Sequence, residues 1–421
     1  MVERLQKFGL IFFILVATLF SASCGSKPTP QKTSSGKSVK LVFWNTMSPS
    51  ESQYLVPLLD KFSSNNPGIT VEMESLPFLQ TQAKFEQAMK TGIIPDVLRA
   101  DRFWIPQFAK AGLLEELHPN ALKSELEDLI PFVKQVVMTD EKLWGLPHSI
   151  DCLGLFFNKG RFEEKGISPP GDFDAFRVAA QKTTEAGKGK FGFFMNPEGW
   201  FFDPFFRGFG GRYFDSSGNL AVKSDQMLKA THYLMELKDT LKVMPPVNLR
   251  SNSYDLMMQS FKNGQVAMMI NGPWCIRDAL EGNAFKDKSD NLGVAPVPKG
   301  PVGRETPVGC QSYVIPKGTK NFKEALMLLK FLCSEEVESV LSKGNFGIPA
   351  RKSLFTDPEL RKDPFLGPFL KQLQEIQTLD SSPHLSKLML PMGQYLKKVL
   401  NGDVTPEDGI KDFESNWESR P

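Results

Sequence analysis

Trp274 is the residue best placed to do chemistry. The segment that leads to it, Phe261-Lys-Asn-Gly-Gln-Val-Ala-Met-Met-Ile-Asn-Gly-Pro-Trp274, turns a buried strand into a presented ring. Val266 to Ile270 is a short apolar run, as expected of a strand covered on both faces. Asn271-Gly272-Pro273 then stops it, since Gly permits positive φ and Pro cannot donate to a ladder. In an open α/β fold, ligands bind at such strand ends. By the same logic Trp44, Asn45 and Thr46 close the first strand with a ring and an amide, and Gln311 in Gly309-Cys-Gln-Ser312 offers an amide contact. These residue types stack and hydrogen-bond rather than break bonds. The four histidines, His118, His148, His232 and His384, stand at no metal-like spacing. There is no Walker loop, no G-x-S-x-G elbow and no dinucleotide fingerprint, so neither a metal nor a cofactor is expected.

The elements that must position these groups alternate. Lys40 to Trp44 reads as a buried strand; Ser50 with Gln53 reads as a capping box, and Tyr54, Leu55, Leu58, Leu59 and Phe62 recur at helical spacing until Asn65-Asn66-Pro67-Gly68. Ile69 to Met73 alternates as a second strand, which makes a β-α-β unit with parallel pairing. Helices are expected over 80–90 and 104–111, with a strand at Val97-Leu98 between them. Gly145 to Lys159 reads as an extended segment broken at Ser149 to Asp151, and Leu292 to Pro298 as a second extended crossing. Further helices are expected over 173–184, 227–241, 322–333 and 388–400. The class is α/β, not a sandwich or a bundle.

A hydrophobic content of 41%, a charged content of 23% and a formal charge of +2 describe an ordinary globular composition with no basic face, which argues against a nucleic-acid partner. Cys152, Cys275, Cys310 and Cys333 are far apart with no C-x-x-C, so neither a zinc ribbon nor thioredoxin chemistry is indicated.

Three segments, at 145–159, 191–214 and 261–274, resemble the maltose-type extracellular solute-binding proteins that feed ABC transporters. That resemblance implies a two-lobed type II periplasmic-binding-protein fold, each lobe a mainly parallel sheet flanked by helices, joined by a multi-strand hinge. It places the lobes at 39–149 with 296–333 and at 150–295 with 334–421. It implies Asp151 as a hinge carboxylate, and Glu198 and Trp200, in Asn196-Pro-Glu-Gly-Trp200, as a carboxylate and a ring carried into the cleft. Asp101 and Arg102, after the third strand, match an acid and a base of related binders, with the inward-facing one left open. Tyr395 matches a late aromatic plate, while Phe201, Phe202, Phe205, Phe206 and Phe209 read as core. Such a site suits a sugar, whose hydroxyl rim takes carboxylates and amides and whose C–H faces take rings. The implied partners are a small sugar, di- or oligosaccharide, and membrane permease subunits, with the chain acting as a monomer. Two rivals stay open: a secreted glycoside hydrolase using Asp151 and Glu198, and a binder of polyols or glycerol phosphate, toward which Arg99, Arg102 or Arg207 in the cleft would point.

Arg4 and Lys7 precede an apolar or neutral run, Phe8 to Phe20, and then Ser21-Ala22-Ser23, the pattern of a secretory signal over 1–23. Cys24-Gly25-Ser26 resembles a bacterial lipidation site, which implies an exported chain tied to a membrane through Cys24. Residues 24–38 read as a flexible tether.

Overall fold

The computed structural model describes residues 38–215, 217, 219–375 and 385–418. The signal segment, Cys24 and His384 lie outside the described residues. Among the described residues the strands are β1 (Val39–Asn45), β2 (Ile69–Ser75), β3 (Val97–Asp101), β4 (Met138–Thr139), β5 (Lys142–Leu143), β6 (Gly145–Cys152), β7 (Gly154–Asn158), β8 (Phe191–Phe194), β9 (Val266–Asn271), β10 (Leu292–Pro296), β11 (Val308–Val314) and β12 (Ile348–Pro349). They form a six-stranded sheet in the order β12-β6-β11-β3-β1-β2, a four-stranded sheet in the order β10-β7-β9-β8 and a small β4-β5 hairpin.

Burial follows position in each sheet. β1 pairs in parallel with both β2 and β3, and β3 is buried along its whole length. β2 is the edge and alternates inward Ile69, Val71 and Met73 with exposed neighbours, the period-2 pattern of a strand with one wet face. The helix Val56–Asn65 packs on β2 and buries Leu58, Leu59 and Phe62. The short helix before it, Pro49–Ser52, is capped two residues earlier than the sequence suggests. Ser48 Oγ accepts from Glu51 N, and Ser48 N donates to Glu51 Oε2 at 2.8 Å, so Ser48 with Glu51 forms the box rather than Ser50 with Gln53.

Four strands of the larger sheet run one way, while β11 and β12 run against them. In the smaller sheet β8, β9 and β10 agree and β7 opposes them. The strand that enters each sheet from the other one necessarily arrives from the crossing end, which explains β7 and β11. Leu153 alone separates β6 in one sheet from β7 in the other. The return crossing, between β10 and β11, is tied to it: Leu153 N donates to Thr306 Oγ1 at 3.0 Å. Gln372, fully buried, binds both crossings, donating to Leu153 O at 2.8 Å and accepting from Val297 N at 2.9 Å.

After β11 the chain stays longer beside the larger sheet than the break expected near Ser334. The helix Glu335–Asn345 and β12 both pack there, and β12 pairs with β6. The helix Gly367–Gln374 is the first to pack on β10 of the smaller sheet. Edge pairing at β6 leaves Ile348 and Ala350 buried, and that apolar register holds the segment on this side. The four cysteines outside the tether are buried free thiols.

Candidate functional site

Asp151 is the last residue but one of β6, two residues before the crossing at Leu153, and sits opposite Gly309 of β11. A Cβ on Gly309 would lie 2.2 Å from Asp151 Oδ1, so only glycine lets the carboxylate lie down on the neighbouring strand. Among the described residues no group donates to this carboxylate. It is half-buried, and burial together with the Asp101 carboxylate raises its pKa to about 7, against the opposing pull of Arg99 and Arg102. An unpaired acid in this setting is primed to accept hydrogen bonds from a ligand.

The groups around it are bonded to one another. Asp101 Oδ2 accepts from Gln311 Nε2 at 2.8 Å, and its Oδ1 accepts from Phe103 N at 2.9 Å. Burial raises the pKa of Asp101, while the bond from Phe103 N, Arg102 and Gln311 hold it down. Asp101 and Arg102 are both buried, and the Arg102 guanidinium lies over the Phe103 ring at 4.4 Å. Gln311 Oε1 is buried with no partner among the described residues, so its amide is held by one end and open at the other. Arg99 donates through Nε to His148 Nε2 and through a terminal nitrogen to Thr46 Oγ1, both at 2.9 Å. His148 is therefore neutral, held well below the usual imidazole range by burial and by Arg99, and stacked on Tyr313 at 4.4 Å.

The second wall comes from the smaller sheet. β9 pairs antiparallel with β7, with Asn271 opposite Gly154, so the end of β9 lies at the crossing that follows Asp151. Trp274 emerges there. Its Nε1 donates to Tyr254 Oη at 3.1 Å, and its ring covers Gly272 so closely that a Cβ would come within 1.9 Å of it. The indole is fixed by its edge and remains partly exposed. Glu198 is the N-cap position of the helix Gly199–Gly208 but does not cap with its side chain, which stays partly exposed with no partner among the described residues. Trp200, two residues on, meets Phe103 edge to face with centroids 6.3 Å apart. That pair joins the loop after β3 to the helix after β8, and so links the two sheets.

Three expected positions are buried and engaged within the protein. Tyr395 is 3% exposed and its hydroxyl bonds Thr231 Oγ1 at 2.9 Å, because the helix Leu385–Leu400 is packed against neighbouring helices and turns this face inward. Asn45 is wholly buried, donating to Ser52 Oγ at 2.9 Å and accepting from Met47 N, as a brace for the turn after β1. Trp44 is buried beneath Lys84, whose Nζ is 4.8 Å from the ring centroid. The phenylalanines Phe201, Phe202, Phe205 and Phe206 are buried, as their apolar run suggested. Arg207 pairs with Asp203 at 2.8 Å. Two residues of the site carried no expectation. Phe103 had a signal, an aromatic directly after Asp101 and Arg102; Tyr254 had none, being 20 residues from the indole it fixes. Among the described residues no group of three or more His, Cys, Asp or Glu could hold a metal ion.

Two α/β lobes joined by paired crossings, with carboxylates and an amide at the crossing end of one and rings at that end of the other, have the architecture of a two-lobed solute-binding protein. Residues 48–339 match the family model for bacterial extracellular solute-binding proteins, and the chain belongs to that family. It is 25% identical over 420 residues to the galactooligosaccharide-binding protein of Bacillus subtilis, covering 97% of this chain and 96% of the relative. It is 26% identical over 355 residues to the maltotriose-binding protein of Pyrococcus abyssi, covering 82% and 74%. Among solved structures, the GacH receptor of Streptomyces glaucescens, studied unliganded and with acarbose, superposes with a TM-score of 0.84 at 27% identity, covering 90% of this chain and 97% of that one. The Thermus thermophilus maltotriose-binding protein, with maltotriose bound, gives 0.76 at 25% identity, covering 89% and 97%.

Proposed function

We propose that this protein is the substrate-binding component of an ABC importer, which captures a di- or oligosaccharide between its two lobes by hinge closure and hands it to membrane permease subunits. The observation that carries this reading is the unpartnered Asp151 carboxylate at the crossing, with the Trp274 ring delivered to the same end of the neighbouring sheet. Asp151, Glu198 and the open end of Gln311 take sugar hydroxyls; Trp200, Trp274 and Phe103 take the C–H faces. Asp101 and Arg102 hold the first wall in shape. Arg99 is bonded to His148 and Thr46, and Arg207 to Asp203, so two of the cations that would favour an anionic solute are engaged within the protein. This supports a neutral sugar over a glycerol phosphate. Relatives that bind maltotriose and galactooligosaccharides support the carbohydrate class.

On sheet membership, the lobes that close are 39–152 with 308–355, and 154–296 with 367–375 and 385–418. The protein acts as an exported monomer tethered through a lipid on Cys24, and it binds without cleaving. Among the described residues no helix is long and apolar enough to cross a membrane.

Thermal-shift and calorimetric titration of the protein with maltose, maltotriose, galactooligosaccharides, polyols and sugar phosphates tests the reading. A sugar at 100 times its Kd should add about 2.7 kcal/mol of stability. Stabilisation by sugar phosphates alone would overturn the neutral-sugar assignment. Sustained release of new reducing ends from the same oligosaccharides would instead make Asp151 and Glu198 a hydrolytic pair.

A further inference from the structure

Arg277 lies three residues beyond Trp274, in the short helix Ile276–Leu280 that follows β9. Its guanidinium is not paired with any carboxylate among the described residues, although Asp278 beside it pairs with Lys262. It crosses instead to the other lobe. There it lies 5.3 Å from the centroid of Tyr54 and 5.0 Å from that of Phe346, and donates to the carbonyl of Gly344.

The receiving cup is built for this. Tyr54 packs so tightly on Gly344 that a Cβ there would come within 2.4 Å of the ring, so the glycine is what allows the Tyr54 ring and the Gly344 carbonyl to face one cation. Phe346 holds a left-handed backbone, with φ 62° and ψ 26°, at the end of the helix Glu335–Asn345. A non-glycine residue kept in that conformation carries a backbone cost that its surroundings must offset, and here it turns the ring toward Arg277. An Arg within about 6 Å of two ring centroids is favoured by cation–π attraction, and its planar fork suits a carbonyl.

We infer that Arg277 is a positioning residue for capture, a latch whose seating between Tyr54 and Phe346 holds the lobes closed once Trp274 has stacked on the solute. Trp274 and Arg277 share one turn of chain, so the movement that brings the ring to the solute also seats the cation. The latch contacts no solute; it acts by stabilising the closed form, and binding then shifts the open–closed equilibrium by that added preference. The inference rests on the capture reading above.

Stopped-flow fluorescence with maltotriose, following intrinsic tryptophan emission, tests it in the full chain. Arg277→Gln should raise the dissociation rate about tenfold, while the association rate changes by less than about twofold. Arg277→Lys, which keeps charge but not the planar fork, should recover part of the loss. Phe346 is buried and meets Phe365 edge to face, so Phe346→Leu, which keeps most of the apolar volume but removes the ring, should raise the dissociation rate with little change in the ligand-free melting temperature. The double variant should dissociate no faster than the worse single variant, because both changes break one contact. Fully additive losses, unchanged dissociation rates, or a loss of binding matched by a drop in ligand-free stability would overturn the latch. If no sugar in the panel stabilises the wild-type protein, the capture reading fails first; if sugar binds wild type and variants with equal lifetimes, only the latch fails.

Discussion

The two walls of the cleft are held in opposite ways. On the larger sheet, Asp101 is bonded to Gln311, and Arg99 to His148 and Thr46, and these two sets leave Asp151 over. On the smaller sheet, Trp274 is fixed by one edge bond to Tyr254, and its face is left free. Hydrogen-bonding groups are costly to bury alone, so a polar wall must satisfy itself and expose only the group meant for the ligand. An aromatic face has no such demand. It needs only orientation, which a single N–H bond and a glycine beneath the ring provide. On the proposed reading, the first wall would set which hydroxyls are accepted, and the second would supply apolar contact that is tolerant of which sugar lies on it.

The largest expected break of this contrast is Asp151→Asn. It should weaken sugar binding by about 1.5–3 kcal/mol at pH 8, the scale of a hydrogen bond to a charged group, measured by calorimetry. Because burial raises the Asp151 pKa to about 7, above its unfolded value, its ionisation in the native state opposes folding. Stability from this group is full below the unfolded carboxylate range and is lost as pH rises through about 7. The ligand-free Asn variant should therefore gain melting temperature relative to wild type at pH 8 and gain little at pH 4. Equal shifts at both pH values would mean that Asp151 is not the titrating group.

Trp274→Ala should cost about 1–3 kcal/mol, by analogy with the loss of one stacked base from an aromatic platform, and should do so alike for several oligosaccharides. A loss confined to one sugar would erase the distinction between a selecting wall and a tolerant one. Wild-type affinity should rise about tenfold from pH 6 to pH 8, since the ionised carboxylate is the better acceptor and its population grows by that factor across a pKa near 7. The rise should vanish in Asp151→Asn; its persistence would point to another group. The smallest effect on binding belongs to Tyr395→Phe, which should lower stability by about 1 kcal/mol through loss of the Thr231 bond and leave Kd unchanged.

Legibility in the sequence followed the range of the interactions. The β9 run and the end of the strand were readable because strand burial and proline's missing donor are local, but Gly272 keeps an extended backbone at φ −107° and serves instead to let the Trp274 ring lie over it. The α/β alternation was readable for the same reason. The capping box shifted by two residues, since Ser48 and Ser50 both offer a hydroxyl and only the path of the chain chooses between them. Trp44, Asn45 and Tyr395 have the right types and sit near the right elements, yet they are interior. A strand end or helix gives no sign of which face the other layer will cover.

The amino-acid sequence by itself determined the periodicities, the stops, the supply of carboxylates and rings, and the likeness to a family of binders, all properties of neighbours along the chain. Tertiary structure alone decided which groups were already partnered. Asp101 and Gln311 meet across 210 residues, and that long-range bond leaves Asp151 as the open acceptor. Arg277 finds its cup 67 residues later in the chain, on the other lobe. Whether a buried polar group is free or engaged depends on contacts between distant segments, and those exist only once the sheets have formed.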